Sequence, residues 1–279
     1  MYPAFGAQAI GVDVPFDEAV ELADHFGFEG IYLDVGYLER TGPETVVQML
    51  EERSLHAAGW HPPVRLTGDE DAFAAGLART AEMAELCART GAQRCSTWLP
   101  PASDEKTREE LFDLVRGRLV TVCETLAEHD TRLGLEFVGP ATSRAGKRHE
   151  FIYTMDGTLE LIDAVGAPNL GLLLDCWHIY TSGGDVEDVL RLEDEQVVDV
   201  HINDAPRDVP RDEQVDSVRK LPGETGVIDV RRFLECLQEI GYAGPVMAEP
   251  LGRSKLMIDT MENILEVRDA IESVWPDAS

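Results

Sequence analysis

Eight short apolar segments recur along this 279-residue chain, and a longer amphipathic segment follows each of them. Such an alternation is typical of repeated βα units around a parallel sheet. The segments expected to be strands are AQAIGV in the 8–13 region, GIYLDV (30–35), HAAGWH (56–61), RCSTWL (94–99), RLGLEFV (132–138), LGLLLD (170–175), VVDVHI (197–202) and PVMAEPL (245–251).

The intervening segments have helical spacing of apolar residues, and acidic residues gather near their starts. The expected helices are FDEAVELADHFGF, PETVVQMLEERS, DAFAAGLARTAEMAELCART, TREELFDLVRGRLVTVCETLAEH, TLELIDAVG, DVEDVLRLE, DVRRFLECLQEIGY and MENILEVRDAIESVW. Eight strands, each followed by a helix, predict an α/β fold, a single-domain (β/α)₈ TIM barrel over residues 1–279. An open doubly wound sheet is the alternative, but no glycine-rich phosphate loop follows the first strand.

The excess of acidic over basic residues limits the kinds of molecule that this protein could bind. Asp and Glu number 53 against 24 Lys and Arg, which gives a formal charge of −29 and a field that disfavours nucleic acid. Five scattered cysteines without a CxxC pair suit a reducing compartment. No segment approaches the roughly 18 apolar residues of a membrane span. We therefore expect a soluble cytoplasmic protein with an acidic surface, which is also what a protein kept soluble in concentrated salt would carry.

Polar residues end four consecutive expected strands, where a barrel places its active site. These residues are Glu136, Asp175, His201 and Glu249. A single one could cap a helix or pair with an arginine, but each is embedded in an apolar run where an unpaired charge is costly. A divalent cation is the simplest way to neutralise three converging carboxylates. The oxygen-rich donor set favours Mn²⁺ as first choice, with Co²⁺ or Mg²⁺ as alternatives.

At this point the chain resembles a known family. The strand-end order, with LLLDCWH, VHINDAP followed by LPGETGVID, and a closing VMAEPL, resembles the xylose isomerase-like barrel superfamily of sugar isomerases and epimerases. That superfamily also holds ketose 3-epimerases, inosose dehydratases and endonuclease IV. The resemblance implies that the four strand-end residues are metal ligands. It also implies that His178 and Arg207 contact the oxygens of the substrate.

The resemblance further implies proton abstraction beside a metal-chelated carbonyl, through an enediolate, with Glu136 and Glu249 as the catalytic bases. Spacing alone would not assign those roles. One departure stands at Thr142, where ketose 3-epimerases carry a further glutamate. A metal-dependent lyase or dehydratase acting on a keto-sugar or inosose is therefore the alternative to an isomerase or epimerase.

Other strand ends supply candidate substrate contacts. Trp98 in STWLPP and His61 in GWHPP could form an apolar wall and a polar contact, and Asp34 ends the second strand in the same way. Each could equally be packing behind the site. Seven basic residues lie in the loops after the fifth and seventh strands, which favours an anionic substrate group, although loop salt bridges would explain them too.

The sequence thus predicts an enzyme that acts on a small-molecule sugar, sugar phosphate or polyol and does not bind nucleic acid or membranes. A homo-oligomer is an expectation by resemblance. Two other classes of protein stay open. One is a nuclease of the endonuclease IV kind, which the small number of strand-end histidines and the missing basic groove disfavour. The other is a sugar-binding barrel without catalysis.

Overall fold

Eight parallel strands form the central sheet of the computed structural model, which describes residues 1–253 and 259–277. Around the sheet they run in the order β3-β2-β1-β8-β7-β6-β5-β4. The strands are β1 (Tyr2–Phe5), β2 (Gly30–Tyr32), β3 (His56–Gly59), β4 (Arg94–Leu99), β5 (Arg132–Phe137), β6 (Leu170–Asp175), β7 (Val197–Ile202) and β8 (Pro245–Ala248).

The ring closes between β3 and β4. Trp60, directly after β3, donates its backbone N–H to the Arg94 carbonyl and accepts from the backbone N–H of Ser96, both at 3.2 Å. The parallel ladder therefore has no free edge at this level. The (β/α)₈ barrel expected from the sequence is confirmed.

Helices surround the barrel and also cover part of its mouth. They are α1 (Phe16–His25), α2 (Val35–Thr41), α3 (Pro43–Glu51), α4 (Glu70–Ala88), α5 (Arg108–Ala127), α6 (Ala141–Arg144), α7 (Met155–Val165), α8 (Cys176–Thr181), α9 (Val230–Glu239) and α10 (Thr260–Val274). The short helices α2, α6 and α8 follow strand ends, so they bring backbone close to the site. In the part of the chain that the structure describes, no helix is both long and apolar enough to cross a bilayer.

The first strand was placed wrongly by the sequence pattern. Residues Tyr2–Phe5 pair with both β8 and β2, whereas Gln8–Ile10 in AQAIGV form a 3₁₀ helix. That helix ends at Gly11, whose φ of 76° favours glycine. A short apolar run fits a buried strand and a buried helical turn equally well, which is why periodicity alone misassigned it.

A second correction concerns DVEDVLRLE, expected to be an α-helix. Its residues Val186–Arg191 form a 3₁₀ helix capped by Asp185. Its backbone bonds span three residues, from the Asp188 N–H to the Asp185 carbonyl and from the Leu192 N–H to the Val189 carbonyl, both at 3.0 Å. Apolar spacing over so short a run does not separate this 3₁₀ pattern from an α-helical one.

Large side chains fill the core on both sides of the sheet. Trp60, Phe5, Phe137 and Trp177 are among the largest fully buried residues. Each fully buried aromatic or leucine side chain contributes about 1.5–3 kcal/mol relative to exposure. This packing holds the strand ends, and hence the site, in register.

Candidate active site

Four side chains converge at the C-terminal mouth of the barrel. One ligand atom each from Glu136, Asp175, His201 and Glu249 lies within 4.8 Å of the other three. Strand register produces this convergence, because Asp175 and His201 are direct partners on β6 and β7, and Glu249 follows β8 at once. His201 Nδ1 lies 3.6 Å from both Glu136 Oε1 and Glu249 Oε2. We call these four residues the strand-end cluster.

Several buried atoms of the cluster have no hydrogen-bond partner among the described residues. These atoms are Glu136 Oε1 and both ring nitrogens of His201. Buried polar atoms without a partner are costly and uncommon, so each calls for an explanation. A cation shared by the cluster would supply the missing interactions, and three carboxylates with one imidazole form a donor set that divalent ions accept. The residues present therefore fit a divalent metal.

Arg219 brings a positive charge into the cluster. Its Nη1 donates to Asp175 Oδ2 at 2.7 Å and to Glu249 Oε2 at 2.9 Å, and its Nη2 donates to Asp216 Oδ1 at 2.9 Å. The side chain is only 1% exposed and lies over the Trp177 ring, 5.5 Å from its centroid. The three carboxylates of the cluster and this guanidinium leave a formal charge of −2, which a divalent cation would balance.

The pKa values of the cluster residues reflect this excess of negative charge. Burial raises the pKa of Glu136 to about 7, and the Glu249 carboxylate adds to the rise. Burial also raises the pKa of Asp175. Burial opposes ionisation of Glu249, but His201 and Arg219 hold its pKa well below the usual range. Burial alone would lower the pKa of His201, yet the Glu249 and Glu136 carboxylates raise it well above the usual value. Protons on Glu136 and His201 thus balance charge that a metal would otherwise balance.

Asp175 is oriented by both of its oxygens. Oδ1 accepts from the Trp177 backbone N–H at 2.8 Å, and so caps α8, and from Asn203 Nδ2 at 3.2 Å. Oδ2 accepts from Arg219 and from Asn203 Nδ2 at 3.3 Å. This aspartate therefore caps a helix and pairs with an arginine as well as belonging to the cluster.

His178 lies beside the cluster, with a donor facing each of its ring nitrogens. Nδ1 lies 3.2 Å from the Gly139 backbone nitrogen, and Nε2 lies 3.3 Å from Arg219 Nη2. A neutral imidazole can accept only one of these two bonds. Nε2 lies 3.8 Å from Glu136 Oε1 and 4.0 Å from Asp175 Oδ2. Burial, followed by the nearby Arg219, lowers the pKa of His178 well below its usual value, which favours the neutral ring.

A cavity of about 490 Å³ opens beside the cluster and reaches Glu249. Most of its wall is apolar, including Phe16, Ile31 and Met247. Its polar lining residues are Gln8, Tyr32, Asp34, His61 and Glu249. This size and a small number of polar groups suit a small-molecule ligand.

The other residues singled out from the sequence occupy different positions. Trp98 is the register partner of Glu136 and is 60% exposed, so it lies on the rim of the mouth. Asp34 caps α2 by accepting from the Tyr37 N–H at 2.9 Å, and it also lines the cavity. Arg207 is exposed and donates to the Thr225 carbonyl, so the structure does not bring it to the cluster. Arg219 occupies that place instead.

Loop contacts engage several basic residues of the two loops. Among the described residues, the cavity lining includes no Lys or Arg. The contacts are Arg144 with Glu150 at 3.1 Å, Lys147 with Asp104 at 2.7 Å, Lys220 with Glu224 at 3.0 Å, and Arg211 over the Tyr180 ring at 4.4 Å. Loop contacts thus engage these four of the seven basic residues that had suggested an anionic substrate group.

The loop that carries Arg219 is organised by Asp204. This fully buried carboxylate accepts four backbone N–H groups, from Ala205 at 2.7 Å, Thr225 at 2.8 Å, Gly226 at 2.7 Å and Ile228 at 3.0 Å. Thr142, the position that departs from the ketose 3-epimerases, donates its hydroxyl to the Gln214 carbonyl at 2.6 Å. It therefore joins the loop after β5 to the loop after β7.

Sequence reasoning did not include Asn203 and Asp204 in the site, and it noted Arg219 only as one of the seven basic loop residues. Asn203 had a usable signal, because it stands two residues after His201 and so on the same side of the chain where β7 ends. Arg219 had only its charge as a signal, since its position depends on a loop that folds back across the mouth.

The protein is a closed (β/α)₈ barrel that brings Glu, Asp, His and Glu together at the ends of β5 to β8, a donor set that could hold a metal at the mouth. The chain matches the family model described as xylose isomerase-like TIM barrel over residues 19–274, and it belongs to that family.

Individual relatives agree with this placement. The inosose isomerase of Bacillus velezensis is 25% identical over 207 residues, 74% of this chain and 70% of the relative, and the match to that of Halalkalibacterium halodurans covers 60% of the relative. A xylose isomerase domain protein from Alicyclobacillus acidocaldarius superposes with a TM-score of 0.88 at 31% identity, covering 98% of both chains. The IolI protein, solved with a bound zinc atom, superposes with a TM-score of 0.81 at 21% identity over 98% of both chains and supports the fold.

Proposed function

We propose that this protein is a divalent-metal-dependent isomerase or epimerase of a neutral keto-sugar or inosose. The observation that carries the proposal is the strand-end cluster, whose buried atoms lack partners and which borders a cavity of about 490 Å³. The similarity to the inosose isomerase of Bacillus velezensis supports the substrate class. The absence of Lys and Arg from the described cavity lining favours a neutral substrate over a sugar phosphate.

The residues of the cluster take distinct roles in this proposal. A divalent ion held by the four residues would polarise a substrate carbonyl and the hydroxyl next to it. Glu136 and Glu249 each lie 3.6 Å from His201 Nδ1, and we assign them proton removal and return at the carbon beside the carbonyl. We assign His178, beside Glu136, contact with a substrate oxygen. Arg219 keeps Asp175 and Glu249 oriented.

We retain Mn²⁺ as the proposed physiological ion. The donor set of three carboxylates and one imidazole also accepts zinc, the ion present in the IolI structure. Arg207, Trp98 and His61 stay proposed substrate contacts beside His178, although Arg207 would have to leave the Thr225 carbonyl. The cytoplasmic location and the homo-oligomer stay predictions.

A lyase or dehydratase is the second candidate, and one observation favours it. Thr142 stands where ketose 3-epimerases carry a glutamate, and its hydroxyl is engaged by the Gln214 carbonyl. With a single base at the substrate carbon, proton removal would be followed by loss of a β-hydroxyl, and His178, whose Nε2 lies 3.8 Å from Glu136 Oε1, is the proposed donor of the proton that leaves with it.

The test is turnover of inososes and ketoses by metal-loaded protein in D₂O, read by mass and NMR. We expect metal-dependent incorporation of deuterium beside the carbonyl, with a product that is an isomer of the substrate. The matched variant Glu249→Gln should abolish incorporation, whereas the exposed His25→Gln should not. A product lighter by one water would establish the lyase, and equal exchange with and without metal would refute the proposal.

A further inference from the structure

A chain of hydrogen bonds runs from the inside of the barrel to the wall of the cavity. It starts at Asp199 on β7, which is 1% exposed. The Tyr32 hydroxyl donates to Asp199 Oδ1, and the Ser96 hydroxyl donates to Oδ2 at 3.3 Å. His61 then contacts Ser96 through Nδ1, at 3.2 Å from the backbone carbonyl and 3.3 Å from Oγ.

These contacts determine which nitrogen of His61 carries the proton. A carbonyl oxygen only accepts, so the contact with the Ser96 carbonyl requires a proton on Nδ1. The Ser96 hydroxyl gives its own proton to Asp199 and keeps a lone pair for the same Nδ1–H. In the neutral ring Nε2 is therefore an unprotonated acceptor.

The ring is also held in place by packing. His61 stacks on Tyr32, with ring centroids 5.9 Å apart and planes 11° apart. Tyr32 is itself anchored by its hydrogen bond to Asp199. An exposed histidine with only a solvation role would not need a buried carboxylate, two hydroxyls and a stacked ring to orient it. Such supporting interactions are typical of a preorganised ligand contact.

His61 therefore presents a bare Nε2 to a ligand, because Ser96 occupies its Nδ1–H. The cavity that His61 lines also reaches Glu249, so one ligand can contact the cluster and His61 together.

We propose that His61 is a specificity-determining residue whose Nε2 accepts a hydrogen bond from a substrate hydroxyl remote from the two oxygens at the cluster. The inference rests on the proposed function and deepens it, since it requires a polyhydroxylated substrate with a free hydroxyl at its far side. A substrate lacking that hydroxyl would leave Nε2 facing an apolar group, which weakens binding.

The first arm of the test does not depend on activity. Long-range ¹H–¹⁵N NMR of protein labelled with ¹⁵N in its histidine rings reads the tautomer, and the His61→Gln variant assigns the resonance. We expect the neutral ring of His61 to carry its proton on Nδ1. A proton on Nε2 of neutral His61 would overturn the assignment.

The second arm is kinetic and uses an inosose with metal-loaded protein. His61→Asn keeps an N–H near the Nδ1 position but has no acceptor at the Nε2 position, whereas His61→Gln can return an oxygen there. Loss of one neutral hydrogen bond should raise KM about threefold to tenfold in His61→Asn, with kcat nearly unchanged. His61→Gln should recover part of the loss, and the exposed His25→Asn should behave as wild type.

An unchanged KM in His61→Asn, or a fall in kcat alone, would refute the role of His61. Metal content of each variant should match wild type, because His61 is not part of the cluster. If wild type shows no metal-dependent turnover of inososes or ketoses, the proposed function fails, and the NMR arm alone decides whether His61 presents an acceptor.

Discussion

The positively charged Arg219 side chain is buried, and it pairs there with Asp175 and Glu249. Removing one partner of a buried ion pair leaves an uncompensated charge, which typically costs about 3–5 kcal/mol. We therefore expect Arg219→Met to lower the free energy of unfolding by about that amount when the protein is kept metal-free with a chelator. A divalent metal that binds the cluster in the folded state alone should restore most of the loss. Denaturant unfolding with and without metal measures both effects.

Arg108→Met is the matched control for this experiment. Arg108 pairs with Glu160 at the surface, where the two side chains are 43% and 56% exposed, so its removal should cost about 0–1 kcal/mol with or without metal. An Arg219→Met protein as stable as wild type in chelator would show that Arg219 does not compensate the buried carboxylates.

At the residue level, strand ends were predictable and loop residues were not. Glu136, Asp175 and His201 each interrupt an apolar strand, and a barrel brings strand ends together, so their proximity followed from the sequence. The placement of Arg219 depends on a connection that folds back over the mouth, and no local pattern encodes that path. Arg207 was chosen by resemblance and lies outside the cluster for the same reason.

At the level of elements, the connection between β7 and α9 determines how the site is covered. Asp204 satisfies four backbone N–H groups of this connection. Asp204→Asn would replace one acceptor oxygen by an amide that donates, leaving buried N–H groups unsatisfied. We expect the free energy of unfolding to fall by at least about 2 kcal/mol. We also expect faster hydrogen exchange at the backbone amides of Thr225, Gly226 and Ile228.

Asp208→Asn, an exposed position on the same connection, serves as the control and should leave exchange unchanged. Wild-type protection of the Gly226 and Ile228 amides in Asp204→Asn would contradict the anchoring role of Asp204.

Most elements were predictable because the spacing of apolar residues and the length of each segment indicated the same element type. The bounds of β4, β5, β6 and β7 follow the apolar segments of the sequence closely. The prediction failed at β1, where the true strand is only four residues long and a second apolar run follows immediately. The short helices α2 and α8 were missed because one or two turns give no measurable periodicity.

For the molecule as a whole, the reactivity of the five cysteines measures whether the barrel is folded. All five are free and buried. Burial raises the pKa of Cys87 and of Cys123 to about 12, and raises those of Cys95 and Cys176 well above the usual value. A cysteine with a raised pKa stays in the protonated thiol form, which does not attack disulfides. We therefore expect almost no reaction of the five cysteines with a disulfide reagent at pH 8 until the protein unfolds.

Denaturant-unfolded protein, in which all five thiols should react, provides the reference for that experiment. Rapid labelling of a cysteine in the native protein, with its circular dichroism unchanged, would contradict the packing described above.

The proposed chemistry requires the strand-end cluster to hold a metal. Elemental analysis of purified protein after reconstitution with Mn²⁺, Zn²⁺ or Co²⁺ tests this directly, for wild type beside His201→Ala and the exposed control His25→Ala. We expect about one ion per chain in wild type and His25→Ala, and a loss of most of it in His201→Ala. An absence of metal from reconstituted wild type, or equal metal in all three proteins, would show that the cluster is not a metal site.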